Sequence, residues 1–269
     1  MPPRDENDCA AAEHRLQAAI SRLPRCIGRF LGYRREKTNP SLSATYVGGL
    51  VGAFGGIALL QAVFGHTQHF TSRGVPQLVS SYGASAILCY GAIDSPLAQP
   101  RPLIGGHFFS ATVGVIISIL FRLDLSSDAD RLSHSQWIAG ALAAAIALAV
   151  MHFTKTMHPP GGTTALLPCV DSGIRAMRWY FLPVVLLSSA LVLVSALLIN
   201  NIQRQYPTFW IAPPPLPPEL PSFHQRHQHR ATWPGFQVQR PESASYPLKK
   251  GYGSLSASTL RPNTANTSK

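Results

Sequence analysis

Charge is scarce in this chain: only 13% of its 269 residues are Asp, Glu, Lys or Arg, and most of these lie before residue 40, after residue 210 or in connecting loops. A soluble domain keeps its charged residues on its surface, so the middle of the chain reads as lipid-embedded. Acidic residues are scarcer still, and the formal charge is +11. The basic excess forms no stripe within a folded module, so nucleic acid is not an expected partner; positive tails flanking membrane spans fit it better. The four cysteines, Cys9, Cys26, Cys89 and Cys169, show no CxxC spacing, which argues against a disulfide framework or a zinc site. HExxH, GxSxG and a phosphate-binding glycine loop are missing, and the carboxylates fall outside the apolar runs. We therefore expect neither an enzyme nor a resident cofactor or metal. An apolar h-region is also missing near residue 1, which excludes a secretory signal peptide.

What the chain does contain is apolar length. Spans are expected over about 42–64, 75–93, 103–121, 136–153 and 179–202. The first carries Gly48, Gly49, Gly52, Ala53, Gly55 and Gly56 at helical spacing, a face suited to close helix packing. The second is weak, holding Ser80-Ser81-Tyr82-Gly83-Ala84-Ser85, and runs into Pro96, Pro100 and Pro102, which should forbid a regular helix there. The loop at 122–136, with Asp124, Asp128 and Asp130, is the least positive and favours the outer side. Trp179, Tyr180, Tyr206 and Trp210 flank the last span as interfacial anchors. Residues 1–40 read as a basic cytoplasmic tail, loosely amphipathic from Ala18 to Tyr33. Residues 211–269 are rich in Pro, Ser, Gln and Arg and should be disordered. His66 with His69, and His224 with His227 and His229, have metal-like spacing, but solvated loop and tail residues explain them more simply.

One stretch stands apart: Met157-His158-Pro159-Pro160-Gly161-Gly162-Thr163-Thr164, a polar break between two apolar runs. Its prolines end the preceding helix, and the run to Val170 would rise only about 12 Å against a hydrocarbon core of roughly 30 Å. A re-entrant segment over 157–170 is expected. Laying Gly83–Leu88 over Gly161–Leu166, an offset of 78, pairs two small residues, a hydroxyl and an apolar turn, which suggests a duplicated unit of long helix, broken segment and long helix. Backbone freed at such breaks must meet protein or a watery cavity. The helix starts should offer free amides and positive dipole ends. With Arg101, Lys155, His107 and His158 close by in sequence, and Ser85, Thr163 and Thr164 as neutral donors, the expected ligand is a small anion. The candidate binding residues are Gly83, Ser85, Gln99, Arg101, His107, Lys155, His158, Gly161, Gly162, Thr163 and Thr164.

Several motifs together resemble the HPP family of integral membrane proteins, named for His158-Pro159-Pro160: Gly83-Ala84-Ser85-Ala86, Ser95 to Arg101, Gly105-Gly106-His107, the HPPGG run with Ala165-Leu166, and Asn200-Asn201 with Tyr206-Pro207 and Trp210. The resemblance covers about residues 40 to 210 and implies a helical membrane protein, usually described with four spans. It also implies nitrite transport by analogy with plastid members. Pro102 stands where the family commonly has asparagine, and Thr163 where it has alanine. The expected fold is an all-α, polytopic helical membrane bundle with broken or re-entrant segments and disordered termini, multi-pass with four to five full spans. The expected function is transport of a small inorganic anion, with nitrite the named candidate; the alternative is a non-transporting scaffold that binds partners through its C-terminal tail. Expected partners are the lipid bilayer, the small anion and, as an open option, a second copy of the chain.

Overall fold

Four helices are long and apolar enough to cross a bilayer: Leu42–His66, Pro100–Leu120, Ser135–Phe153 and Ser172–Gln203. The computed structural model describes residues 4–34, 41–121 and 129–213. The expected disordered tail lies outside this range from residue 214 onward, as do His224, His227 and His229 and residues 122–128 of the loop expected at 122–136; the rest of that loop, from Ala129, is helical instead.

In chain order, helices α1 (Arg4–Ser21) and α2 (Arg25–Phe30) are followed by α3 (Leu42–His66), α4 (Gln68–Thr71) and α5 (Ser81–Ala86). The last of these runs directly into a π-helical turn, Ile87–Gly91. A 3₁₀ turn, Pro96–Ala98, leads into α6 (Pro100–Leu120), then α7 (Ala129–Phe153), α8 (Pro160–Val170), α9 (Ser172–Met177), a 3₁₀ turn at Arg178–Tyr180 and α10 (Phe181–Gln203). Ser41 caps α3 by accepting from the Ala44 amide, and Asp171 caps α9 by accepting from Ile174.

The prolines behave differently from the sequence expectation. Pro100 and Pro102 sit in the first turn of α6, where missing amides go unneeded, so the helix starts three residues earlier than expected. The stretch at 75–93 also departs from a full helical span: it is helical only over Ser81–Gly91, about 16 Å of rise. Yet it still runs nearly the length of α3, antiparallel to it, because Gln77 packs on Gly65 while the Tyr90 ring fills the notch left by Gly52 and Gly56. The glycine face of α3 is thus a packing surface, with Gly55 on Ile199 and Gly48 on Gln203 extending it to α10.

These contacts fix directions. α3 and α6 run the same way, with a broken crossing between them. α7 opposes both, since Arg101 at the start of α6 donates to Thr154 just past its end. The second broken crossing enters as a turn and irregular chain over 154–159 and continues as α8, parallel to α6: Ser110 faces Gly161, and Gly114 touches Ala165. α10 returns, with Tyr82 bonded to Val185 and Cys89 to Asn200. Each half is therefore long helix, broken crossing, long helix, and the two halves run in opposite senses, the inverted-repeat arrangement of many transporters. On the helix bounds Ser81 falls on Pro160 and Gly91 on Val170, one position further along than the motif register suggested.

The N-terminal segment, read as a tail from the sequence, is helical and docked. Arg29 donates to the carbonyls of Asn201 and Ile202, and Glu13 accepts from the amides of Trp210 and Ile211. Both described chain ends thus lie at one end of the bundle. Exposed apolar side chains such as Leu50, Phe54, Trp137 and Phe153 cover the outer surface, as lipid contact requires.

Candidate functional site at the centre of the bundle

The two broken crossings meet midway along the bundle. Ser85, on the second turn of α5, and Thr164, on the second turn of α8, occupy equivalent places in the two halves, and both reach His107 of α6. The His107 Nε2 lies 2.8 Å from Ser85 Oγ and its Nδ1 lies 2.7 Å from Thr164 Oγ1. Ser85 Oγ also lies 2.9 Å from His158 Nε2, while His158 Nδ1 bonds the Leu97 carbonyl at 2.8 Å. Thr164 donates to Ser81 Oγ at 2.8 Å. The Tyr82 ring stacks on His107 with centroids 4.3 Å apart, and its hydroxyl donates to the Val185 carbonyl beside Ser189. Ser85, His107, His158 and Thr164 are all 0% exposed. A polar chain of this length inside a membrane bundle is held only because each member has partners.

Local sequence explains the arrangement. Lys155, at φ 55, ends α7 in the left-handed conformation, and Thr156 donates back to the Met151 carbonyl, closing the turn. The chain then lies along α6, with Thr156 against Gly105 and His158 against Gly106, close approaches that only glycine permits. Pro160 starts α8 as its first residue.

Of the eleven candidate residues, Ser85, His107, His158 and Thr164 come together here, and Gly161 adjoins them by packing against Ser110 and the sulfur of Met151. The others lie apart. Gln99 is a buried staple, donating to Ile93 and Ser95 and accepting from the Thr208 amide. Arg101 binds the carbonyls of Thr154 and Ile211 at the end of the bundle, where Lys155 is exposed. Thr163 is exposed, and a Cβ at Gly83 or Gly162 would meet nothing within 4 Å.

Four of the amides at these helix starts are already engaged: Gly161 donates to His158, Gly162 to Pro159, Tyr82 to Val79 and Gly83 to Ser80. Tight first turns bond inward before any ligand arrives, so side chains supply the donors at the centre. Both helices start at the centre, where Ser81 and His158 join the network, so their positive dipole ends still meet there; their far ends lie against guanidinium groups, Arg204 donating to the Tyr90 carbonyl and Arg175 to that of Cys169. Ser81, Tyr82 and these two arginines escaped sequence reasoning, although Ser81 and Tyr82 adjoin the Gly83 motif. Among the described residues no group of three or more His, Cys, Asp and Glu side chains could hold a metal. His69 is engaged by Arg73 and Tyr180.

All four converging side chains fall inside residues 37–207, the stretch matched by the family model described as HPP, transmembrane region. The chain belongs to the HPP family. Two curated transmembrane proteins of Dictyostelium discoideum are similar: one is 35% identical over 68% of this chain and 62% of its own length, the other 43% identical over 49% and 41%. The chain thus spans less than two thirds of either relative. No solved structure matches it. The HPP residues themselves divide their work: His158 enters the central network, Pro159 supplies a carbonyl to Gly162, and Pro160 begins α8. Of the two family departures, Thr163 stays outside the network and Pro102 is absorbed by the first turn of α6.

Proposed function

We propose that this HPP protein is a secondary transporter for a small inorganic anion, nitrite first among the candidates, with His107, Ser85, His158 and Thr164 as its central site. The observation that carries this reading is the meeting of two oppositely directed broken crossings at a buried histidine–hydroxyl network. Inverted halves with interrupted helices suit alternating access, because each half can rock about a fixed central site. Converging helix dipoles and ring N–H groups favour negative charge. At one end Arg175 and Arg178 line a small recess with Val115, Ser118, Ile119 and Pro168; in this state it is closed to an anion, and its positive charge would draw anions toward that end of the bundle. The network is closed on all sides, which fits an occluded state between two access states.

The reading is transport rather than catalysis. Among the described residues, the partners of the two central histidines are hydroxyls and the Leu97 carbonyl, a set without negative charge that suits holding an anion. Purified protein in liposomes should carry at least one of nitrite, nitrate, formate or chloride faster than empty vesicles. Ser85→Ala and His158→Ala should each lower that flux about tenfold or more while the protein still elutes as folded material. Equal flux with and without protein, for all four anions, would sink the proposal.

A further inference from the structure

Each hydroxyl of the central network has one hydrogen, and each ring nitrogen either donates or accepts, so the protons can be counted along the chain. The Leu97 carbonyl can only accept, so His158 Nδ1 carries a hydrogen. In a neutral His158, Nε2 then accepts, and Ser85 gives its hydrogen to this nitrogen at 2.9 Å rather than to the Ser81 carbonyl at 3.3 Å. Ser85 Oγ can in turn only accept from His107, so His107 Nε2 also carries a hydrogen. Two arrangements remain at the far nitrogen. If Thr164 turns its hydroxyl to His107 Nδ1, the imidazole is neutral. If Thr164 donates to Ser81 or to the Pro160 carbonyl, Nδ1 must itself donate, and with His158 neutral His107 is an imidazolium. One proton and one hydroxyl rotation separate these states.

We infer that His107 is a loading site for one proton and that the anion crosses with it, as an electroneutral proton–anion symport. This rests on the transport reading above. The titratable groups facing His107 are Tyr82 from α5 and His158 from the 154–159 stretch; α8 presents Thr164, and α10 presents Ser189 only through Tyr82. Among the described residues no carboxylate bonds the ring, so an imidazolium here lacks a counter-charge of its own, and an uncompensated buried charge is strongly disfavoured. A bound anion supplies that counter-charge. The step balances: one proton from the first compartment forms the Nδ1–H bond, and that bond breaks to release the proton with the anion into the second.

The test uses the full chain in liposomes, with potassium and valinomycin holding the membrane potential at zero and nitrate or chloride as probe, because nitrous and formic acids cross bare lipid. One pH unit, acid outside, should drive about tenfold accumulation of the anion, the ratio a one-to-one electroneutral couple sets. A 60 mV potential without a pH gradient should drive none. If nitrite or formate alone is carried, the same ratio is read after subtraction of empty vesicles. Thr164→Val removes the acceptor for the Nδ1 hydrogen at constant volume, so the pH of half-maximal uptake should fall by about one unit; Thr164→Ser should restore it. Accumulation driven by potential alone, or an unchanged pH profile in Thr164→Val, overturns the coupling and leaves the transport reading standing. Absence of flux for every anion removes both.

Discussion

Ser85 and Thr164 hold opposite nitrogens of one imidazole from equivalent turns of two helices, a placement that single side chains in a bilayer rarely reach without function. Glycines set how closely the supporting backbones approach. A Cβ at Gly114 would collide with the backbone carbonyl of Ala165, which cannot move aside as a flexible side chain would. Gly114→Ala should therefore destabilise by about 1–3 kcal/mol through overpacking, more than the helix gains from alanine, roughly 0.5–1 kcal/mol. At Gly83 and Gly162 nothing lies within 4 Å, so alanine there should bring only the gain. Thermal unfolding in detergent should show a fall of several degrees for Gly114→Ala and unchanged or slightly raised midpoints for the other two. The same contrast marks what the residues alone reveal. His158, His107, Ser85 and Thr164 were legible because polar groups next to helix breaks are conspicuous. Arg101 and Lys155 were misplaced because closeness in sequence to a break says nothing about depth, and chain geometry put both at the bundle's end.

The broken crossings are short elements kept in place by their neighbours, and the first depends on Tyr90. Its ring occupies the Gly52–Gly56 notch on α3, and its hydroxyl meets Ser195 on α10, so one side chain pins the π-helical turn to two long helices. Tyr90→Phe keeps the ring and loses one hydrogen bond, while Ser195 retains the Val192 carbonyl as acceptor; the expected loss is about 0.5–1.5 kcal/mol. Tyr90→Ala should cost about 3–5 kcal/mol, as other large-to-alanine changes do. Chemical or thermal unfolding of both variants would check this, and equal losses would show that the notch contributes nothing. The sequence disclosed the glycine face and the weakness of 75–93, since composition alone carries both. It did not disclose that prolines at 100 and 102 would open a helix, because the same residues that forbid a helix interior suit its first turn.

Direction is a property of the whole chain and was the least legible feature of all. A duplicated unit could be read from the Gly83 and Gly161 motifs, but whether its copies run parallel or opposed depends on how many times the chain crosses between them, and 75–93 was ambiguous on that count. The structure makes α3 and α6 parallel, so the connection from residue 67 to 99 has to return across the bundle although, apart from single turns at Gln68–Thr71 and Pro96–Ala98, only Ser81–Gly91 of it is helical. This predicts opposite sidedness for two positions close in sequence. Ser72 is exposed near the end of α3, and Gly91 is exposed at the far end of the π turn with nothing within 4 Å of a Cβ. In a Cys9→Ser, Cys26→Ser background, where Cys89 and Cys169 stay buried, Ser72→Cys and Gly91→Cys should react with an impermeant maleimide from opposite faces of sealed vesicles. Gly91→Cys should match native Cys26, which is exposed at the end where the chain's described termini meet. Labelling of both introduced thiols from the same face would mean that 75–91 folds back without crossing; the two halves would then cease to be inverted copies, and a rocking central site would lose its structural basis.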